Sequence, residues 1–261
     1  MLDGGPNGRV LLLVCSDGAG SAPMSREGSM RAVQSIVQSA ANFVADGHPV
    51  DAIGAETFHT WFGVAAWHLQ VEADADVRPV RDYACTLLVA VIDEQTAAYA
   101  QLGDGAIVAG CGDDVVPIFW PQQGEFANTT FFITAPEHLS RVQTLTGSEV
   151  PERVAVISDG LQNLALRNSD RTAHPGFFSP LFHSLRTQPE GKAEELQTPL
   201  EAFLGSQMIN ARTDDDKSLL LAIRALPQQE ADASFSHESE RTHMIDDASG
   251  SDLSSEHEQV A

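Results

Sequence analysis

The sequence is poor in lysine, in cysteine and in long apolar runs. Lys192 and Lys217 are the only lysines among 261 residues, and 15 Lys+Arg face 37 Asp+Glu for a formal net charge of -22. Binding DNA or RNA needs a concentrated basic face, because cations make the phosphate contacts, so no nucleic acid is expected as a main partner. The same shortage excludes a polybasic membrane anchor. No uninterrupted apolar run reaches the roughly 18 residues of a membrane-spanning helix, so no membrane partner is expected. The opening residues Met1-Leu2-Asp3-Gly4-Gly5-Pro6 have neither the basic nor the apolar region of a secretory signal. Cys15, Cys85 and Cys111 are widely spaced, which suits buried thiols in a reducing cytoplasm rather than a disulfide framework. Neither CxxC nor HxxxH occurs, so zinc is not expected. GxSxG elbows, phosphate-binding P-loops and dinucleotide fingerprints are missing too.

What is present is enough apolar content for a core, 43% of the chain. The composition changes near Pro227. From there to Ala261 nine acidic residues accompany one basic one, Arg241. Such a segment cannot bury enough surface to offset its chain entropy. The expected organisation is therefore one domain over 1–226 and a disordered acidic tail over 227–261.

Within the body, Arg9 to Cys15 reads as a buried strand. A helix is expected over 25–45, with Val33, Ile36, Val37, Ala40 and Val44 on one face and Gly47 as its stop. A second helix is expected over 55–69, with Phe58, Trp61, Phe62 and Ala65 inward and Trp67 in the core. Strands are expected at Ala84–Ile92, Thr96–Leu102, Ala106–Ala109, Val115–Trp120, Thr129–Thr134 and Arg153–Ile157. Residues 160–204 read as helical, broken at Pro175, Pro180 and Pro189, and Ser218–Ile223 as a last strand. This order implies an α+β layered fold. His59 and His68 read as packing or surface residues.

Five Asp-Gly pairs occur. Those at Asp3 and Asp46 read as plain turns. The other three follow apolar strands directly: Asp17 after LLLVCS, Asp104 after YAQLG and Asp159 after RVAVIS. A further acidic run, Asp214-Asp215-Asp216, directly precedes SLLLAI. Asp-Gly after a strand is also an ordinary hairpin turn. Brought to one edge, however, four carboxylates would repel one another unless cations neutralised them. Hard divalent ions such as Mg²⁺ or Mn²⁺ take oxygen ligands of this kind. Cys15, at the end of its strand, reads as a small hydrophobe, since no neighbouring cation is there to lower its pKa.

The ordered motifs resemble the bacterial branch of the metal-dependent protein phosphatase 2C family. They are Val14-Cys15-Ser16-Asp17-Gly18-Ala19-Gly20-Ser21-Ala22, then Cys85-Thr86-Leu87-Leu88 with Ala100-Gln101-Leu102-Gly103-Asp104-Gly105, then Val156-Ile157-Ser158-Asp159-Gly160-Leu161, and last Asp215-Asp216-Lys217-Ser218. The resemblance covers about residues 8–226. It implies a four-layer α-β-β-α sandwich, two packed antiparallel sheets flanked by helices. It implies a cytoplasmic Mg²⁺- or Mn²⁺-dependent phosphatase acting on phosphoserine or phosphothreonine of a protein substrate. Asp17 would bridge two ions, with the Gly18 carbonyl on one of them. Asp159 and Asp215 would bind the second, and Asp104 matches a weaker third site. A metal-bridging water would attack phosphorus without a phosphoenzyme, so Asp17 and Asp159 count as catalytic. Three departures stand out. Asn163 replaces a frequent Asp. Ala19 replaces a His found in some members. Only eight residues precede Arg9, where members usually carry a further acidic segment and often a phosphate-binding arginine. Arg9 lies too near Asp17 for that role, and Arg26 and Arg81 are the nearest substitutes. A missing first strand would leave the alternative of a weak or inactive phosphatase-like regulatory module.

Overall fold

The computed structural model describes residues 1–112, 114–123 and 130–225. The segment 227–261, expected to be a disordered tail, lies outside the described residues. The strands are β1 (Leu2–Gly5), β2 (Gly8–Cys15), β3 (Leu87–Ile92), β4 (Ala97–Leu102), β5 (Ala106–Cys111), β6 (Asp114–Pro117), β7 (Gln143–Gly147), β8 (Arg153–Ile157), β9 (Leu166–Arg167), β10 (Thr172–Ala173) and β11 (Leu219–Ile223). The helices are α1 (Ser25–Ala45), α2 (Ala55–Ala75), α3 (His138–Arg141), α4 (Gln162–Ala165), α5 (Pro175–Arg186), α6 (Glu194–Leu204) and α7 (Gln207–Asn210). One antiparallel sheet runs β1-β2-β3-β4-β7 and the other β11-β8-β5-β6, with β9 and β10 as a small hairpin.

Every residue of β3, β4 and β8 is buried. A strand reads as a continuous apolar run when both of its faces are covered, and three apolar layers do the covering. Val10, Leu87, Val89, Val91 and Ala100 pack under α1 and α2. The alternate residues Cys15, Leu88, Ala90, Ile107, Val154 and Val156 meet between the two sheets. Ala106, Val108, Ala155 and Ile157 pack on Phe177, Phe178 and Phe182 of α5. The period-two alternation of each strand thus divides its side chains between layers, and the result is the expected α-β-β-α sandwich.

Several details differ from the sequence expectation. A short strand, β1, stands ahead of Arg9, where none was expected, and pairs Leu2 with Val10 and Gly5 with Gly8. The apolar TTFFIT stretch forms no strand over its described residues 130–134. Ile133 is instead buried in the helix-side core, and its N–H donates to the Cys85 carbonyl at 2.9 Å. The fifth strand of the sheet is the polar QTLTG of β7, an edge strand that pairs with β4. Edge strands need little apolar content, which hid it. The 160–204 region contains the β9–β10 hairpin besides helices, and Pro180 lies inside α5 without ending it.

The buried stripe of α1 is Ala32, Ile36, Ala40 and Val44, with Val37 40% exposed. It is rotated from the expected face because small alanines let α2 approach through Ala65, Leu69 and Ala73. Ser35 is buried with the stripe, and its hydroxyl pairs with His68 Nδ1 at 2.9 Å. Helix α2 runs six residues beyond the expected end and buries Phe58, Trp61, Phe62 and Ala65. Trp67, expected in the core, is 61% exposed. No helix of the described residues is long and apolar enough to cross a membrane.

Candidate active site

The four acidic positions sit where strands of both sheets end. Asp17 follows β2, Asp104 lies in the turn between β4 and β5, Asp159 follows β8, and Asp215 precedes β11. Two ladders fix them. In one, β2 pairs with β3 as Cys15↔Leu88, and β3 with β4 as Leu88↔Gln101. In the other, β8 pairs with β11 as Ile157↔Leu219 and with β5 as Ile157↔Ala106. Rigid strand ends therefore deliver short carboxylates to a common edge.

The backbone at Asp17 is clamped. Its N–H donates to the Thr86 hydroxyl at 3.0 Å, and its carbonyl accepts from the Thr86 N–H at 2.8 Å. The Ser16 hydroxyl donates to the Thr86 carbonyl at 2.6 Å. Gly18 bridges to Cys85, and a Cβ on Gly18 would stand 2.7 Å from Ser25 Cβ at the start of α1. Opposite, Ser158 ties Asp159 to the Asp215 loop. The Ser158 N–H donates to the Ser218 carbonyl at 3.1 Å, and its hydroxyl accepts from the Ser218 N–H at 3.0 Å. A Cβ on Gly160 would collide with the Asp216 carbonyl and lie 3.4 Å from Asp215 Cβ. Gly105 presses on the Ile157 carbonyl, 2.5 Å from where its Cβ would be. The Gln162 side-chain amide donates to the Asp104 carbonyl.

These carboxylates feel one another. Asp17 is pushed up to about 8, first by burial, then by a hydrogen bond with Asp159 and by the charges of Asp159, Asp215 and Asp104. Asp104 is pushed up to about 6 by burial, followed by the charge of Asp159. Asp159 Oδ1 is buried and has no hydrogen-bond partner among the described residues. Among the described residues no group of three or more His, Cys, Asp or Glu side chains stands together as a set that could hold a metal ion. The four instead form a repelling set of oxygen donors along one edge, and a buried, unpaired carboxylate oxygen in such a set suits a hard cation. Among the described residues Lys217 donates to the Asp215 backbone carbonyl at 3.0 Å.

The sequence expectation placed Asp17, Gly18, Asp104, Asp159 and Asp215 here, and the fold brings all five to this edge. Arg26 and Arg81 are both exposed. Cys15 is buried, and burial pushes its thiol up to about 12, with Asp17 adding to the effect; it is no nucleophile. Sequence reasoning missed Thr86, Ser158 and Gln162 as supports. The quoted motif stretches contain Thr86 and Ser158, but nothing in the sequence says which backbone each would hold.

A family model described as protein phosphatase 2C matches residues 3–205. Serine/threonine-protein phosphatase 3 of Escherichia coli (strain K12) is 35% identical over 218 residues, which cover 83% of this chain and 85% of that protein. The crystal structure of a bacterial serine phosphatase superposes with a TM-score of 0.56 at 12% identity, covering 85% of this chain and 95% of that one. A serine/threonine phosphatase from Staphylococcus aureus superposes with a TM-score of 0.54 at 13% identity, covering 86% and 87%. At such identities the two structures speak for the fold alone. The family model spans most of the chain and agrees with the Escherichia coli relative: the chain belongs to the protein phosphatase 2C family.

Proposed function

We propose that this chain is a Mg²⁺- or Mn²⁺-dependent protein phosphatase acting on phosphoserine and phosphothreonine, and that Asp17, Asp159 and Asp215 are its principal metal ligands. The observation that carries the reading is the mutual crowding of Asp17, Asp104, Asp159 and Asp215 at one strand-end edge, with Asp159 Oδ1 buried and unpartnered. The donors are all oxygen, which favours hard divalent ions over zinc. In this reading Asp17, the Gly18 carbonyl, Asp159 and Asp215 would hold the ions, and Asp104 would contribute to a weaker further site. Bound ions would acidify water and neutralise charge on a phosphoryl group.

The chain's own residues position and exclude. Thr86 holds the Asp17 backbone and Ser16 in turn holds Thr86, which fixes where the Asp17 side chain starts. Ser158 fixes the spacing between the Asp159 turn and the Asp215 loop. Cys15 and Cys85, buried beneath the edge, keep water out from below. In this reading hydrolysis needs no phosphoenzyme, and burial keeps the Cys15 thiol protonated rather than a nucleophile.

The test is hydrolysis of a phosphothreonine peptide in Mn²⁺ by wild type and by Asp17→Ala. The variant should lose about a thousandfold or more of the rate, comparable to removing a major electrostatic element of a site, and a chelator should abolish the wild-type rate. Equal rates for the two proteins would refute the assignment. A wild type that binds Mn²⁺ but hydrolyses nothing would instead favour a regulatory module.

A further inference from the structure

The outer edge of β2 is only partly covered. β1 pairs with it at Gly8 and Val10 and stops there, and among the described residues no strand pairs with Leu11–Cys15 on that side. On the inner side the pairing with β3 runs on past the strand's end. Cys15 faces Leu88, and the Thr86 N–H donates to the Asp17 carbonyl at 2.8 Å. Antiparallel neighbours alternate between hydrogen-bonded and non-hydrogen-bonded pairs. Leu11, Leu13, Cys15 and Asp17 therefore turn their backbone groups to β3, and Leu12, Val14 and Ser16 turn theirs outward.

Beside this edge runs the first half of α1. Ser16 and the α1 residues Ser29, Met30, Val33 and Gln34 line a cavity of about 290 Å³. Leu12 and Val14 pack into the same helix-side layer and are half-buried. Met30 is 54% exposed. The result is a slot with outward backbone groups along one side, Met30 and Val33 along the other, and Asp17 at its end. The β7 edge of the same sheet is polar, as free edges usually are, whereas the free stretch of β2 reads Leu-Leu-Leu-Val-Cys.

We infer that this slot takes the main chain of the phosphoprotein substrate as an added antiparallel strand, with apolar side chains at the first and third positions after the phosphorylated residue. Strand addition needs a free edge and a pocket for alternate side chains, and both are here. The register follows from continuity with the carboxylate edge. With the phosphorylated residue opposite Asp17, the first and third residues after it fall opposite Ser16 and Val14, in hydrogen-bonded pairs. Residues directly opposite share a face. The phosphorylated side chain then stands on the face of Asp17, and the two that follow stand on the face of Val14, against Met30 and Val33. A second copy of this chain does not fit the edge in the same way. Pairing Leu12 with Val14 of the copy would bring the copy's Ser16 against Val10, where Leu2 already stands. The inference rests on the proposed phosphatase reading only in setting the phosphorylated residue opposite Asp17.

The experiment uses the full chain in Mn²⁺ and short peptides carrying a non-hydrolysable phosphonate analogue of phosphothreonine, with binding followed by calorimetry. A peptide with valine at the first and third positions should bind about tenfold tighter than one with serine at both. Methylating the backbone nitrogen of the third residue, which faces Val14, should weaken binding about fivefold. Methylating that of the second, which points away from β2, should not. Bound valine peptide should slow hydrogen exchange at the Leu12 and Val14 amides. Met30→Glu, a change at an exposed position, should remove most of the preference for valine. The inference falls if no peptide binds, if valine and serine peptides bind alike, or if the two methylations act alike. It falls too if the free chain dimerises with Leu12 and Val14 already protected, since a second copy would then hold the edge. Hydrolysis of the matching phosphothreonine peptide is measured separately. Hydrolysis without the valine preference overturns the slot alone, and the preference without hydrolysis overturns the catalytic reading alone.

Discussion

The same dipeptide, Asp-Gly, does two different jobs in this molecule. At Gly4 and Gly47 the glycine has a φ of +101° and +81°, and a Cβ there would meet nothing within 4 Å. These glycines are present for their backbone freedom. Gly18, Gly105 and Gly160 have no such φ, and a Cβ on any of them would run into another segment: Ser25, the Ile157 carbonyl or the Asp216 carbonyl. These glycines are present because two backbones touch. The turn reading of Asp-Gly is therefore right for Asp46, where the glycine ends a helix, and for Asp3 only as an irregularity within β1. It does not account for the glycines of the three pairs at the site. There glycine brings Asp17, Asp104 and Asp159 close enough for their carboxylates to interact.

The largest effect should come from breaking a contact glycine. In Gly160→Ala the new methyl meets the backbone of Asp216, which cannot rotate aside as a side chain could. Overpacking against a backbone costs about 3 kcal/mol, or roughly 6–12 °C in melting temperature for a domain of this size. Phosphatase activity should fall with it, because the Asp215 loop is displaced. Thermal unfolding and a peptide assay on the same preparation check this; a variant with the wild-type melting temperature would mean that the close approach is not a constraint.

The middle effect concerns the charge that the close approach creates. Without metal, Asp17 has its pKa raised from 3.8 to about 8. Between those values the folded chain keeps a proton that the unfolded chain has released. Stability of the metal-free protein must then fall as pH rises through that window and level off above it. Asp104, pushed up to about 6, adds to the same slope. In Asp17→Asn the Asp17 contribution disappears. With a chelator present, wild type should lose about 3 °C or more between pH 5 and pH 8, and the variant clearly less. Parallel curves for the two proteins would show that the carboxylates are not crowded in the folded state.

How much of this was legible in the sequence follows from the same distinction. The four acidic positions could be read because each abuts an apolar strand, and a strand end fixes where a short side chain goes. The layering could be read because β3, β4 and β8 are apolar at consecutive positions. Thr86 could not be assigned its role, because it holds the backbone of a residue 69 positions away in the chain. Nor could Gln162, whose partner is the Asp104 carbonyl rather than a side chain. The polar β7 carries no strand pattern of its own and is selected by the free edge of β4. The rotated face of α1 reflects the shape of α2, which no period within α1 encodes.

The smallest effect makes a sixth Asp-Gly. Helices α1 and α2 end alike, as Ala45-Asp46-Gly47-His48-Pro49-Val50 and Ala75-Asp76-Val77-Arg78-Pro79-Val80. After α1, His48 N–H donates to the Phe43 carbonyl and Gly47 N–H to the Val44 carbonyl. After α2, Arg78 N–H donates to the Ala73 carbonyl and Val77 N–H to the Asp74 carbonyl. Both are the glycine-terminated Schellman pattern, yet Val77 stands in it with a φ of 54° and 92% exposure. A left-handed L-residue costs about 1–2 kcal/mol, a β-branched one at the upper end, and exposure returns almost no burial. Replacing it with glycine removes that strain but gives the unfolded chain roughly 0.5–1 kcal/mol of extra freedom. Val77→Gly should therefore stabilise the protein by about 1 kcal/mol, read as a rise of roughly 2–4 °C. Gly47→Ala should lose about as much, because it places a side chain where α1 needs none. If Val77→Gly is destabilising, Val77 makes a contact that its exposure hides, and the two helix ends are not equivalent after all.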